Sequence, residues 1–349
     1  MHLYRFADNL GWTGFINKDG DIKIPSSTLR TVDDFYEERA AAGYYTDDSK
    51  LKCGYIDEIG NWIIEPKYDF VRPFQDGRAV VGFHGKDYSD YNQRKFYVID
   101  RFGDILWEVP HGITIGSSHS LLPVSDGTKS AYATETGQLM TEFEYSYAEP
   151  FNENLGLVCW GKSQDGKKRW SYIQEDGSVL ENLSFTADDA YPFTEGFARL
   201  RFRKGVEDFY YYINKKGEFM NKTPFSMAGP FSEGRAYVKG AGQGPGVWYI
   251  NTQFEQVLKP DYKFSLNNYS SGLVVIRDKR LDLFGYADLF GRNVIQNLYC
   301  NNRNMAFKNE LAYVIQKSKY SDSRTHKYVN RLGEVVFEMN RELLAAIFL

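Results

Sequence analysis

The chain has 349 residues, with 42 Lys and Arg against 46 Asp and Glu, a formal net charge of −4 and 42% hydrophobic residues. That balance excludes a disordered chain, a collagen-like chain and a strongly basic nucleic-acid binder. Its 26 Tyr, 25 Phe and 31 Gly suit short strands and tight turns better than helices.

In chain order, one pattern keeps returning: an aromatic residue, Ile, Asp or Asn, two variable residues, then Gly. It occurs as FINKDG ending at Gly20, YIDEIG at Gly60, VIDRFG at Gly103, YATETG at Gly137, YIQEDG at Gly177, YINKKG at Gly217, YINTQF at Phe254, YADLFG at Gly291 and YVNRLG at Gly333. A second block, F-x-E-G-x-A-x-V, precedes each copy, clearest in FQDGRAVV (Phe74 to Val81) and FSEGRAYV (Phe231 to Val238). Both blocks give nine units with a mean spacing of about 39 residues, the length of a small β-repeat.

Each unit reads as strands. In Phe197 to Arg203, Ala198, Leu200 and Phe202 alternate with Arg199, Arg201 and Arg203, the period-two pattern of a half-buried strand. This leading strand is followed by the aromatic-Ile segment, the central strand. A turn closes it, with Asp or Asn first to accept backbone N–H groups and Gly last, where φ > 0 costs little; Gly20, Gly60, Gly103, Gly137, Gly177, Gly217, Gly291 and Gly333 are assigned this structural role. A trailing strand such as Trp62 to Ile64 comes next. Pro66 is expected to end its ladder, because proline removes a donor, and Tyr68 to Phe74 is expected to supply a short fourth strand.

The segment GYIDEIGNWIIEPKYDFVRPFQDGRAVV, Gly54 to Val81, resembles the WG-containing beta repeat found mainly in bacterial proteins, and degenerate copies extend the resemblance over nearly the whole chain. The Trp-Gly pair that names the family is replaced by Cys53-Gly54 here, by Thr13-Gly14 in the first copy and by Trp170-Ser171 in the fifth; Trp160-Gly161 is out of register. The resemblance implies a repeat fold and no particular activity.

The expected fold is all-β, a single array of tandem antiparallel β-meanders over residues 1–349. Nine units exceed the usual four to eight propeller blades, which favours an open curved array over a closed β-propeller. The apolar segment 340–349 is expected to cap the last unit or to serve as a partner-binding tail. With no apolar run near the roughly 18 residues of a membrane span and no signal pattern at the N-terminus, the chain is expected to be cytoplasmic and off the membrane. Its three cysteines, Cys53, Cys159 and Cys300, are odd in number and lack pair spacing, as free thiols in a reducing compartment would be.

Few motifs carry chemistry. Gly156 to Ser163 satisfies the G-x-x-x-x-G-K-S expression, but a phosphate loop must run from a strand into a helix, and the repeat frame places a hairpin there. The Gly-rich run Gly240 to Gly246 fits a loop between strands. The five histidines stand singly, and no metal-ligand spacing or catalytic signature occurs, so no cofactor, metal or catalytic residue is assigned and a non-enzymatic role is expected.

Because successive strands reverse direction, the loops joining leading to central strands share one rim and the Gly turns share the other. The first rim carries Lys162, Lys167, Lys168, Arg169, Arg203, Lys204, Lys279 and Arg280; the second carries acids such as Asp57, Glu195 and Glu233. Aromatics beside the cations, Tyr88, Tyr91, Trp160 and Trp170, are candidates for stacking on a ligand; charged loops also serve solubility alone. Two roles follow: a repeat scaffold binding an unidentified protein partner, or a polyanion or nucleic-acid binder using the basic rim.

Overall fold

The computed structural model describes residues 2–7, 12–29, 31–85, 94–116, 121–240, 246–258, 263–264, 267–278, 280–300, 305–318 and 323–339. All regular structure among them is β-strand, arranged in small antiparallel sheets, none closed into a barrel. The third repeat shows the common order: a short strand, Phe70–Val71, pairs with the leading strand Arg78–Phe83, which pairs with the central strand Lys95–Asp100, which pairs with the trailing strand Ile105–Val109. The nine expected repeats occupy eight sheets, because the sixth and seventh share one of seven strands through a single pairing of Tyr210 with Phe225. There the sixth trailing strand has shrunk to an Ile213–Phe219 bridge, leaving the edge of Glu207–Asn214 open to Phe225–Ala228.

Two expectations about the trailing end need correction. Pro66 does not end the ladder: the strand Trp62–Tyr68 runs through it. The register shifts instead, with Tyr55 opposite Ile64 but Cys53 opposite Tyr68, so Pro66 sits in a bulge where no ladder donor is needed. The short strand that follows belongs to the next sheet, Phe70 pairing with Gly82 and Val71 with Val81. The bulge also explains Gly54, since a Cβ there would lie 2.2 Å from the Ile64 carbonyl oxygen and 2.8 Å from the Pro66 nitrogen. Gly14 and Gly285 meet the Ile24 and Ile295 carbonyls in the same way.

The chain forms two compact units. One comprises Met1–Asn17 and Asp21–Ala187; the other comprises Lys18–Gly20 and Asp188–Leu349. In both, the central-strand tyrosine is the hub of the core. In the first unit Tyr55 and Tyr132 are fully buried and donate their hydroxyls to the Arg72 and Glu149 carbonyls at 2.7 and 2.5 Å. In the second, Tyr212, Tyr249 and Tyr286 donate to Gly229, Asn267 and Met305 at 2.5, 2.7 and 2.6 Å. Each acceptor lies 17 to 19 residues downstream, just before the next repeat's F-x-E-G turn. The aromatic opening that block packs edge-on against the same tyrosine: Tyr55 with Phe74, Tyr132 with Phe151, Tyr249 with Tyr269 and Tyr286 with Phe307, ring centres 4.6 to 5.1 Å apart. Burying the ring supplies area, and the carbonyl satisfies the one polar atom that burial would orphan.

Candidate functional site

The Gly turns have the expected geometry. The Gly60 N–H donates to the Asp57 carbonyl at 3.0 Å, and Asp57 Oδ1 accepts the Ile59 and Asn61 N–H groups at 3.1 and 2.8 Å; Asp100, Asn214, Asp288 and Asn330 repeat the pattern. Every assigned turn glycine, Gly20, Gly60, Gly103, Gly137, Gly177, Gly217, Gly291 and Gly333, has φ between 78° and 91°, a region costly for any residue with a Cβ. Phe254 takes this conformation with φ 65° and turns its ring among Phe197, Tyr212 and Phe231, centres 5.3 to 5.7 Å away. Aromatic packing offsets backbone strain of order 1–2 kcal/mol, so the one copy without Gly is built for its core.

The turns also lean on their neighbours. A Cβ on Gly60 would touch Ile24 and one on Gly103 would touch Ile64, each at 3.4 Å, both in the first compact unit. In the second, a Cβ on Gly333 would lie 3.2 Å from Ile295 and one on Gly20 2.3 Å from the Val336 carbonyl. The F-x-E-G corners add a second set of links. Their central residues both have positive φ, as at Glu195 (51°) and Gly196 (84°), the signature of a type I′ turn. The Glu195 carboxylate accepts the Glu233 and Gly234 N–H groups at 2.5 and 2.8 Å, Glu233 accepts the Gly272 N–H at 2.8 Å, and Glu37 accepts the Gly77 N–H at 2.8 Å. The acidic rim is therefore partly structural: each of these carboxylates caps the corner of the following repeat.

The basic rim divides. Lys162, Lys167, Lys168 and Arg169 come together on one hairpin between Gly156–Lys162 and Lys168–Ile173, where Lys162 pairs across the ladder with Lys168 and Gly161 with Arg169. Its tip is closed by the Ser163 N–H on the Lys167 carbonyl at 2.8 Å, so the G-x-x-x-x-G-K-S segment is strand and turn, without the helix a phosphate loop needs. Arg203 and Lys204 end another leading strand, Phe197–Lys204, in the second compact unit. Arg203 is held there by Asp208, Nε to Oδ1 2.9 Å, and Arg201 bridges Asp189 and Asp208. These carboxylates raise both guanidinium pKa values further, in Arg201 against an opposing contribution from burial, and Arg203 holds the Asp208 carboxyl below its ordinary range. Arg280 sits in a turn with its N–H on Asp278 Oδ1 at 2.8 Å; Lys279 lies outside the described residues, as do Tyr88, Tyr91 and 340–349.

The stacking role expected of the tryptophans does not fit. Trp170 is buried in its sheet beneath the Lys168 ammonium, 5.3 Å from the ring centre. Trp160 is fixed by Tyr145, ring centres 4.8 Å apart, and by its indole N–H on Ser171 Oγ at 2.9 Å. Trp170 is two residues from Lys168 and so on the same strand face, where the lysine itself covers the ring.

A feature of the turn rim was not singled out in the sequence. The residue just before the turn Gly is apolar and strongly exposed in four repeats: Ile59 (74%), Phe102 (82%), Phe290 (76%) and Leu332 (76%). At the same place the other repeats carry Asp19, Thr136, Asp176, Lys216 and Gln253. The signal was in the alignment of the copies, as an apolar residue in a column otherwise polar.

Among the described residues, no group of His, Cys, Asp and Glu could hold a metal ion, and no helix is long and apolar enough to cross a membrane. The three cysteines are free, and burial pushes the Cys53 thiol up to about 11, with Asp69 and Asp33 adding to the effect.

Tandem β-meanders stapled by tyrosines and carboxylates define a β-repeat protein. The model of the WG containing repeat matches residues 54–86, 132–159 and 212–239, three segments across the chain that support a WG-containing beta repeat family. By fold it is similar to a structure described as the eukaryotic initiation factor, with a TM-score of 0.67 and 10% identity over 97% of this chain and 95% of that one. It is also similar to the β-propeller domain of the Trilobed protease from Pyrococcus furiosus, at a TM-score of 0.42 and 11% identity over 90% and 98% of the two chains. No curated protein matches the sequence.

Proposed function

We propose that this chain is a non-enzymatic scaffold whose repeats bind a protein partner. The observation that carries this reading is the set of exposed apolar turn tips at Ile59, Phe102, Phe290 and Leu332. Large side chains projecting from rigid turns desolvate little in the free protein and offer anchors to a partner. Free thiols support a reducing, cytoplasmic setting. The test is a tagged pull-down from native lysate at low and moderate salt, with nuclease-treated and untreated halves. A stoichiometric protein that survives nuclease and moderate salt is the expected result; its absence refutes the scaffold.

One observation favours a second reading. The hairpin bearing Lys162, Lys167, Lys168 and Arg169 concentrates cations as a polyanion site would, and phosphate contacts there would release counterions. Retained nucleic acid that washes off with salt is the outcome that supports it. Charge reversal at Lys167, Lys168 and Arg169 should then abolish retention; unchanged retention sinks the idea for this hairpin.

A further inference from the structure

The turn tips of the second and third repeats both lie in the first compact unit, and their chemistry is specific. Gly103 rests on Ile64, 3.4 Å from where its Cβ would stand; Phe102 and Ile63, the chain neighbours of these two residues, are both exposed. Ile59 and Ile105 complete this row of exposed apolar residues in and beside the two turns. Arg101 ties this row to the F-x-E-G corners: its guanidinium is 3.6 Å from Glu38 Oε2 and 3.3 Å from the Glu37 carbonyl, and its side chain lies where a Cβ on Gly77 would meet it at 3.7 Å. The four turn segments gathered here, 35–39, 57–63, 74–78 and 100–105, hold seven carboxylates against three guanidiniums, a net charge of −4. Of the guanidiniums, Arg78 is buried and paired with Glu135, and Arg39 lies partly buried against the Phe74 ring. The surface is therefore an apolar ridge in a negative field.

The corresponding segments around Phe290 and Leu332, 269–273, 288–294, 307–311 and 330–335, hold three acids and three bases. The charge is thus a property of one pair of repeats and not of the turn architecture.

We infer that the ridge of Ile59, Ile63, Phe102 and Ile105 is a docking site for a cationic amphipathic segment of a protein partner, apolar anchors against the tips and Lys or Arg against the surrounding carboxylates. This inference rests on the scaffold reading and names its surface and the partner's chemistry. Two arguments select the occupant. The charge repels a second copy of the same surface and attracts a basic partner. The exposed apolar area is roughly 500 Å², short of the ~800 Å² that each side of a stable dimer contributes and matched to a short segment laid along a ridge.

The test uses the full chain and two fluorescent designed amphipathic helices, one of Leu and Lys and one of Leu and Glu, read by anisotropy. The Leu–Lys helix should bind saturably and the Leu–Glu helix at least about tenfold more weakly. The double variant Ile59→Ser, Phe102→Ser, which keeps every charge and alters only exposed turn positions, should lower Leu–Lys affinity at least about tenfold, while Phe290→Ser, Leu332→Ser should leave it unchanged. Equal affinity in the Ile59, Phe102 variant, or equal binding of both helices, would overturn the inference. So would sedimentation showing a dimer that this variant dissolves, which would assign the ridge to a second copy. These readouts are separate from the pull-down: a chain that captures no protein ends the scaffold reading, whereas insensitivity of peptide affinity to the two tips ends this one.

Discussion

Alkaline pH should unfold this protein through its own tyrosines. Tyr55, Tyr132, Tyr212, Tyr249 and Tyr286 are buried with hydroxyls on backbone carbonyls, and burial, the leading cause in each, raises their pKa far above the usual 10. In the unfolded chain the same phenols ionise near pH 10. Below that pH both states keep the proton and nothing is lost. Above it the unfolded state binds fewer protons than the folded one, so stability falls as pH rises, by about 1.4 kcal/mol per tyrosine per pH unit. At pH 11 the loss is about 3 kcal/mol for the two tyrosines of the first compact unit and about 4 kcal/mol for the three of the second, against a total of order 5–15 kcal/mol for a domain. Tyr145 and Tyr269, pushed up to about 12 mainly by burial, add to both. Urea midpoints measured from pH 8 to 11.5, with tyrosinate absorbance followed in parallel, provide the assay. The expected result is a midpoint that is level below pH 10 and then falls steeply, with ionisation of these phenols coinciding with unfolding. Ionisation near pH 10 in a chain that stays folded would refute the burial argument.

Two further outcomes test the local geometry. Gly54→Ala places a Cβ 2.2 Å from the Ile64 carbonyl and should cost about 2 kcal/mol or more in urea unfolding, whereas Gly60→Val, at φ 91° with its Cβ in ordinary contact with Ile24 at 3.4 Å, should cost about 1–2 kcal/mol; equal stability of either variant and the parent would mean that the bulge or the turn is wrongly described. A thiol-reactive disulfide reagent at pH 8 should label Cys300, which is partly exposed, well before Cys159 and Cys53, since burial of Cys53 and its pKa of about 11 leave little thiolate to react; labelling of Cys53 at the rate of Cys300 would contradict this.

The repeat and its turns were legible because they rest on local rules: Asp or Asn accepts its own turn's N–H groups, and Gly takes φ near 90° wherever the pattern places it, as at Gly60 and Gly217. What depended on the neighbouring repeat was hidden. Nothing local to Glu195 says that its carboxylate serves Glu233 and Gly234, and nothing local to Pro66 distinguishes a strand that stops from one that bulges over a glycine. The basic rim was legible as composition but not as chemistry. Arg203 faces Asp208 across its hairpin, a pairing fixed by the Arg203–Asp208 register, and Trp170 is buried under its own strand's Lys168. The apolar tips went unread because a single exposed Ile or Phe is ordinary; only their recurrence at one turn position, in four copies of nine, gives them meaning.

The tyrosine and carboxylate links have a consequence for how such a chain can change length. Each phenol reaches its acceptor 17 to 19 residues ahead, and the Glu195 and Glu233 carboxylates reach 38 and 39 residues ahead, so a cut between sheets that they join does not separate self-contained modules. A loss or gain of one whole period among the linked repeats rejoins a donor to an equivalent acceptor. A change of any other length strands a buried hydroxyl on one side and an unaccepted corner amide on the other. The length of each linked repeat is thus held near 39 residues by the links it makes to the next.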